Sequence, residues 1–327
     1  MDYMLSRAFS YGKPGMLLCV SLNPAIDRRL QMSRLLVGSV NRTCKADAAP
    51  GGKATHVAMV LQTLGAAPRW LGFAAGATGA MLIEGLRQMG IDAHAVPVQG
   101  ETRTNLELLE ADGRVTEILE PGPEICPEEL ARFQSAYETL VGSAVTAVIL
   151  SGSLPPGVPS DYYAILIRAA RKLRARVFLD TSGEPLRSAL LAEPYFVKPN
   201  REEAESWSGS IIDGVNSART VLDHMLQSGA SSGAISLGAD GLVWSSREQA
   251  GALVARVPKL SSGSCVGSGD ATLAGFAFAA ERACNAEDSV RLAAACGLAN
   301  CLADGPGRAS ASDIERLKHE ISLEILP

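Results

Sequence analysis

A chain of 327 residues that is 47% hydrophobic and 20% charged is long enough for roughly two ordinary domains, or for one large α/β unit with a subdomain. Its 30 basic and 35 acidic side chains give a net charge of -5 with no broad cluster of Lys and Arg, and 5% aromatic content offers little for base stacking, so nucleic acid is excluded as a partner. Disordered, collagen-like and disulfide-scaffold classes are excluded by the same composition.

The first 15 residues read as an N-terminal extension, mixing charges with single apolar residues. They lack the continuous apolar stretch of a leader, and no later run approaches the roughly 18 residues of a membrane span. Seven cysteines, an odd number without a CxxC pair, suggest buried free thiols in a reducing compartment. The expected location is the cytoplasm, with no membrane partner.

From residue 16 onward, short β-rich runs alternate with helical patterns. Strands are expected at 16–22, 69–73, 144–150, 176–179, 195–197 and 233–237. Helices are expected at 55–64, 81–89, 127–141, 160–173, 215–227, 270–283 and 286–302. This alternation predicts an α/β fold, a doubly wound and mostly parallel sheet flanked by helices. Two stretches, about 29–48 and 93–119, break the rhythm. The second contains a hairpin pattern with Asp112-Gly113 at its tip. Together they predict a small β-sheet lid on a single body spanning 16–327.

Several turns carry candidate chemistry. Gly267, Ser268, Gly269 and Asp270 precede a nearly all-apolar helix, which must be buried. Small residues at its N-terminus let an anion approach free amides, and Asp270 falls in the first turn. An acid there also simply complements the helix dipole. Gly51, Gly52 and Lys53 open an amphipathic helix, where a lysine opposes the dipole and pairing with a bound anion would explain it. Asn200 and Glu203 have capping-box spacing, or place an acid where a hydrated Mg²⁺ meets nucleotide phosphates. Glycine turns at 151–157 and 236–241 follow strands and point to one crevice at the sheet's carboxyl edge.

In this order, the segments Asn23-Pro24-Ala25-Ile26-Asp27, Asn41-Arg42, Gly51-Gly52-Lys53, Thr102-Arg103-Thr104-Asn105, Ser151-Gly152-Ser153, Lys198-Pro199-Asn200-Arg201-Glu202-Glu203, Ser236-Leu237-Gly238 and Gly267-Ser268-Gly269-Asp270 resemble the ribokinase-like (PfkB) carbohydrate kinases, in their phosphosugar branch. The resemblance runs from residue 16 to the C-terminus. It implies ATP- and Mg²⁺-dependent phosphoryl transfer to a ketohexose phosphate, with Asp270 as base and Gly267, Ser268 and Gly269 as anion hole. Asp27, Gly51, Gly52 and His56 would line the sugar site. Arg42, Lys53 and Arg103 would match or neighbour the positions that meet its existing phosphate. Asn200, Ser236, Gly238 and Gly241 would lie at the nucleotide, and Glu203 with Asn200 would hold Mg²⁺ through water. A homodimer through the β lid is implied as well.

The branch usually reads GGKGxNVA, whereas this chain has Ala54, His56 and Met59 in the corresponding stretch. His56 could donate to a sugar hydroxyl or, when protonated, pair with a phosphate. That departure leaves two alternatives open: a kinase of an unphosphorylated sugar or nucleoside, and a non-catalytic sugar-phosphate sensor.

Overall fold

The computed structural model describes residues 15–143, 145–260 and 264–326. The extension before residue 15, Ala144 and Gly263 lie outside the described residues. In chain order the elements are β1 (Met16–Ser21), β2 (Ala25–Met32), β3 (Lys45–Gly51), α1 (Lys53–Thr63), β4 (Arg69–Ala74), α2 (Gly76–Gln88), β5 (Asp92–Pro97), β6 (Arg103–Glu110), β7 (Val115–Leu119), α3 (Pro127–Val141), β8 (Val145–Ser151) and α4 (Tyr162–Lys172). The second half continues with β9 (Arg176–Asp180), α5 (Gly183–Leu190), β10 (Phe196–Val197), α6 (Arg201–Ser208), α7 (Val215–Gln227), β11 (Ser232–Ser236), β12 (Leu242–Ser246), β13 (Gln249–Arg256), α8 (Ser268–Glu281), α9 (Ala286–Cys301), α10 (Ala311–Lys318) and β14 (Ser322–Leu326).

Ten strands form one sheet in the order β14-β13-β12-β11-β10-β9-β8-β1-β4-β5. From β11 to β5 neighbouring strands run parallel, and β12, β13 and β14 add an antiparallel edge. Side chains of the central strands alternate between two cores, one on each face. In β1, Leu17 and Cys19 join the core that includes α1, α8 and α9, while Leu18 and Val20 face α3, α4 and α7. Such two-sided burial is why these strands read as continuous apolar runs. Full burial of each large aliphatic side chain contributes about 1.5–3 kcal/mol.

Four strands, in the order β3-β2-β6-β7, make the second, small sheet. It differs from the expected 29–48 and 93–119: β2 starts at Ala25, β3 runs to Gly51, and β5 belongs to the large sheet beside β4. The polar-flanked pattern of β5 resembles a lid strand. It follows α2 directly, however, and a right-handed crossover returns the chain beside β4. The lid is tied to the body by Arg29, whose guanidinium bonds both Glu107 oxygens (2.9 and 2.7 Å) and the Asp304 carbonyl (2.5 Å).

Of the cysteines, Cys19, Cys296 and Cys301 are buried as expected, whereas Cys44, Cys126 and Cys265 are exposed. Among the described residues, no helix is long and apolar enough to cross a membrane.

Candidate active site

A cleft of about 500 Å³ opens between the lid and the carboxyl ends of the parallel strands. Ser153 after β8, Asp180 ending β9, Lys198 after β10 and Ser236 ending β11 form its floor. Lid residues Asp27, Arg103 and Asn105 form the opposite wall. Ligands of open α/β sheets sit at this edge, where loops diverge and leave a crevice.

The apolar α8 is buried along its length, as its composition requires, and Gly267 at its N-cap takes φ 77°. That left-handed conformation turns the chain so that the first amides of the helix face the cleft. Gly269 leaves room for a neighbouring charge: a Cβ there would come within 3.1 Å of Lys198 Nζ. The anion site of glycine amides therefore has an ammonium beneath it. Asn300, 1% exposed on α9, fixes this turn by donating to the Val266 carbonyl (2.8 Å) and accepting from the Gly307 amide (2.8 Å).

Asp270, 5% exposed, places its carboxylate 2.8 Å from Nδ1 of His56. The other ring nitrogen, Nε2, lies 2.8 Å from Asp27, whose second oxygen accepts from Asn105 Nδ2 (2.9 Å). Three residues from β2, α1 and α8 thus make one continuous row. Burial alone would raise the Asp27 carboxyl, but the bonds from His56 and Asn105 hold it below its ordinary value. Gly51 makes the row possible, since a Cβ there would lie 2.2 Å from the Asp27 carboxyl group.

Lys53 sits at the start of α1 as expected, but its partners are carboxylates: Asp180 at 3.1 Å and Glu203 at 3.3 Å. Lys198 binds the other Asp180 oxygen at 3.0 Å. Burial would raise the Asp180 carboxyl, yet the two ammonium groups hold it below its usual range. Burial likewise opposes the charge on Lys53, which Asp180, Glu203 and Asp270 hold well above the ordinary lysine range. Asn200 and Glu203 form the capping box, with the Glu203 amide donating to Asn200 Oδ1 (2.8 Å) and the Asn200 amide donating to Glu203 (2.9 Å). Both also line the cleft.

The other candidates divide. Arg103 lines the cleft and donates to the carbonyls of Asn23 (2.9 and 3.2 Å) and Glu120 (3.1 Å), with no carboxylate paired to it among the described residues. Arg42 does not reach the cleft: it is exposed and lines a separate recess near Gln31, Thr43 and Leu109. The segment carrying it passes along the outer end of β2, remote from the sheet edge. Gly238 and Gly241 lie in a tight turn beyond the lining, and Gly241 is required there because a Cβ would meet the Ala255 carbonyl at 1.8 Å.

Sequence reasoning missed Asp180, Lys198 and Asn300 as parts of this site. A signal existed for their position though not for their partners: Asp180 and Lys198 each end an apolar run, and Asn300 interrupts one.

Residues 18–313 match the model of the pfkB family carbohydrate kinases. The chain is 41% identical over 286 residues to a 1-phosphofructokinase of Xanthomonas campestris pv. campestris, covering 85% of this chain and 88% of that one. A 1-phosphofructokinase of Bacillus subtilis is 32% identical over 292 residues, covering 89% and 94%. Phosphofructokinase-2 of Escherichia coli in complex with fructose-6-phosphate superimposes with a TM-score of 0.84 at 26% identity, covering 94% of this chain and 99% of that one.

Proposed function

Because the chain belongs to the pfkB family of carbohydrate kinases, we propose that it transfers the γ-phosphoryl group of ATP to a hydroxyl of a fructose phosphate, with fructose 1-phosphate as the favoured acceptor. The observation that carries this reading is the buried Asp270 in the first turn of α8, behind a glycine turn and facing the sugar wall. The similarity to 1-phosphofructokinases supports the choice of acceptor. Arg103 supports it too. A guanidinium bonded only to carbonyls keeps its charge available, and a substrate that arrives phosphorylated uses that charge, whereas a neutral sugar does not.

Phosphoryl transfer is mainly positioning and charge stabilisation. Asp27 and Asn105 hold hydroxyls of the acceptor, Arg103 its existing phosphate. Asp270 orients the attacking hydroxyl and accepts its proton as the new O–P bond forms and ADP departs. Amides of Gly267, Ser268 and Gly269, with the Lys198 ammonium, face the transferred group and stabilise its charge. Ser236 borders the nucleotide, and lid contacts through Arg29 help exclude water from the reacting groups.

The donor set also bears on Mg²⁺. Among the described residues no cluster of three or more His, Cys, Asp or Glu forms a metal cage. Glu203, a hard oxygen donor at the cleft wall, fits a hydrated Mg²⁺ held chiefly by substrate phosphates. Such an ion neutralises phosphate charge when bound, and Glu203 with Asn200 would hold it through water. Exposed Val37, Val40, Ile118 and Leu119 on the lid support a homodimer through this sheet, and the cytoplasm suits a kinase whose substrates are ATP and a sugar phosphate.

The test is ADP release with fructose 1-phosphate, fructose 6-phosphate, tagatose 6-phosphate and unphosphorylated sugars and nucleosides. Highest kcat/KM on fructose 1-phosphate supports the reading. Turnover confined to unphosphorylated acceptors, or sugar-phosphate binding without turnover, overturns it.

A further inference from the structure

His56 occupies the place where the resembling branch carries asparagine, and both its ring nitrogens are taken, each 2.8 Å from a different carboxylate. A neutral imidazole has one N–H and one lone pair, so one of the two carboxylates would face a lone pair. The imidazolium has two donors and satisfies both. The backbone that carries the ring is also closely packed. Gly307, with φ 72°, brings the loop after α9 so close that a Cβ there would lie 3.1 Å from His56 Cα. On the far side Asn105 anchors Asp27.

We infer that His56 is a positioning residue: as an imidazolium it holds one oxygen of Asp270 and one of Asp27, fixing the base and the sugar-binding acid in a single rigid row. The inference rests on the reading of Asp270 as the base. With Oδ2 held by His56, the remaining Asp270 oxygen, which has no hydrogen bond among the described residues, is the one presented to the acceptor hydroxyl. Both N–H groups of His56 are committed to carboxylates, so His56 itself donates nothing to the sugar. Asn105 Oδ1, buried and without a hydrogen-bond partner among the described residues, is a neighbouring acceptor for a sugar hydroxyl.

Charges around the ring agree with this. Facing His56 are Asp27 from β2 and Asp270 from α8, with Glu117 of β7 farther away, Arg103 of β6 beside Asp27, and Lys53 of its own helix beside Asp270. Burial opposes protonation of His56, but the two carboxylates outweigh it and hold the ring up at about 10.

Two measurements test the inference. The chain has four histidines, and spectra of ¹⁵N-histidine-labelled protein at about pH 8.5 are expected to show one ring with both nitrogens protonated, lost in His56→Asn. Spectra in which every histidine is neutral at that pH overturn the inference, and this reading needs no variant that folds. In kinetics, His56→Asn and His56→Gln are expected to lower kcat roughly 30-fold, less than the ~10²–10⁴-fold contributed by a general base itself, with KM for ATP unchanged. The alkaline fall of the wild-type kcat profile near pH 10 is expected to disappear in His56→Asn. A kcat within threefold of wild type and an unchanged alkaline limb in both variants overturn it. A wild-type protein that phosphorylates no fructose phosphate overturns the substrate reading instead, and leaves the spectroscopic result to decide the state of His56.

Discussion

The two halves of the cleft bury charge in different proportions. On the acceptor side, Asp27, His56 and Asp270 place one cation between two carboxylates. On the other side two cations and two carboxylates alternate: Lys198 and Lys53 share Asp180, and Lys53 also pairs with Glu203. Each row is internally paired, which makes burial tolerable. Only the acceptor row keeps a surplus, a negative one, and it lies where hydroxyl protons must be held and accepted. The contrast teaches that local pairing and net polarity are set separately: both rows are paired throughout, and the residues at their ends decide whether a surplus remains.

Breaking the acceptor row at its reactive end gives the largest expected effect. Asp270→Asn removes the proton acceptor and is expected to lower kcat by about 10³-fold, read from ADP release, with the fold intact by circular dichroism. A variant retaining a tenth of wild-type kcat would remove Asp270 from the role of base. Breaking the second row should act on stability as well as turnover. Lys198→Met leaves the buried Asp180 with only Lys53, and loss of one partner of a buried pair costs about 3 kcal/mol, measurable by urea unfolding, with a raised KM for ATP. An unchanged midpoint would mean that Lys53 alone neutralises Asp180.

Arg103→Gln sharpens the comparison at the rim. A charge-assisted contact to phosphate is worth about 1.5–3 kcal/mol, so KM for a fructose phosphate is expected to rise roughly 10- to 100-fold. An unaltered KM would point to an acceptor that carries no phosphate.

The rows also predict a pH dependence of stability. His56 is held up at about 10 against an ordinary 6.5, so the folded protein binds this proton more tightly than the unfolded chain. That contribution is complete below 6.5 and is lost as pH rises through 10. Asp27 is lowered from 3.8, so its contribution is present above that value and is lost as the pH falls below it. Urea midpoints in His56→Asn should lose the alkaline decline and show a smaller acid one, because His56 also holds the Asp27 carboxyl down; an alkaline decline of full size in the variant would assign it elsewhere. The smallest effect is expected for Asn200→Ala, which removes the cap of α6 and costs about 1 kcal/mol. A much larger loss in kcat than in stability would give Asn200 a role at the nucleotide beyond its cap.

Legibility in the sequence followed burial. The central strands β1, β4, β8 and β9 are apolar on both faces and stand out as short runs between helical patterns. β12, β13 and β14 carry weaker patterns, and β5 reads like the lid strands because its pattern is half-exposed. α2 begins at Gly76, earlier than its apolar spacing suggests, because its first turn is made of Gly, Ala and Thr. Within the site, residues in glycine turns were visible because tight turns restrict residue type. Asp180 and Lys198 were not, because a charge ending an apolar strand has meaning only once its partner from another strand is known. His56 showed as a departure from a pattern. Its two partners, 29 and 214 positions away, could be identified only from the fold.

Those separations also bear on the order in which the protein is made. β1, at the start of the described chain, finds its neighbours only at β4 and β8, so the middle of the sheet cannot close until nearly half the chain has left the ribosome. The acceptor row waits longer, until α8 arrives to set Asp270 against a histidine emitted 214 residues earlier. Non-local pairing of this kind makes assembly slow. During refolding, regain of helix and sheet should therefore run ahead of regain of turnover, and nascent chains that stop before α8 hold a sugar wall and a nucleotide floor with no base between them.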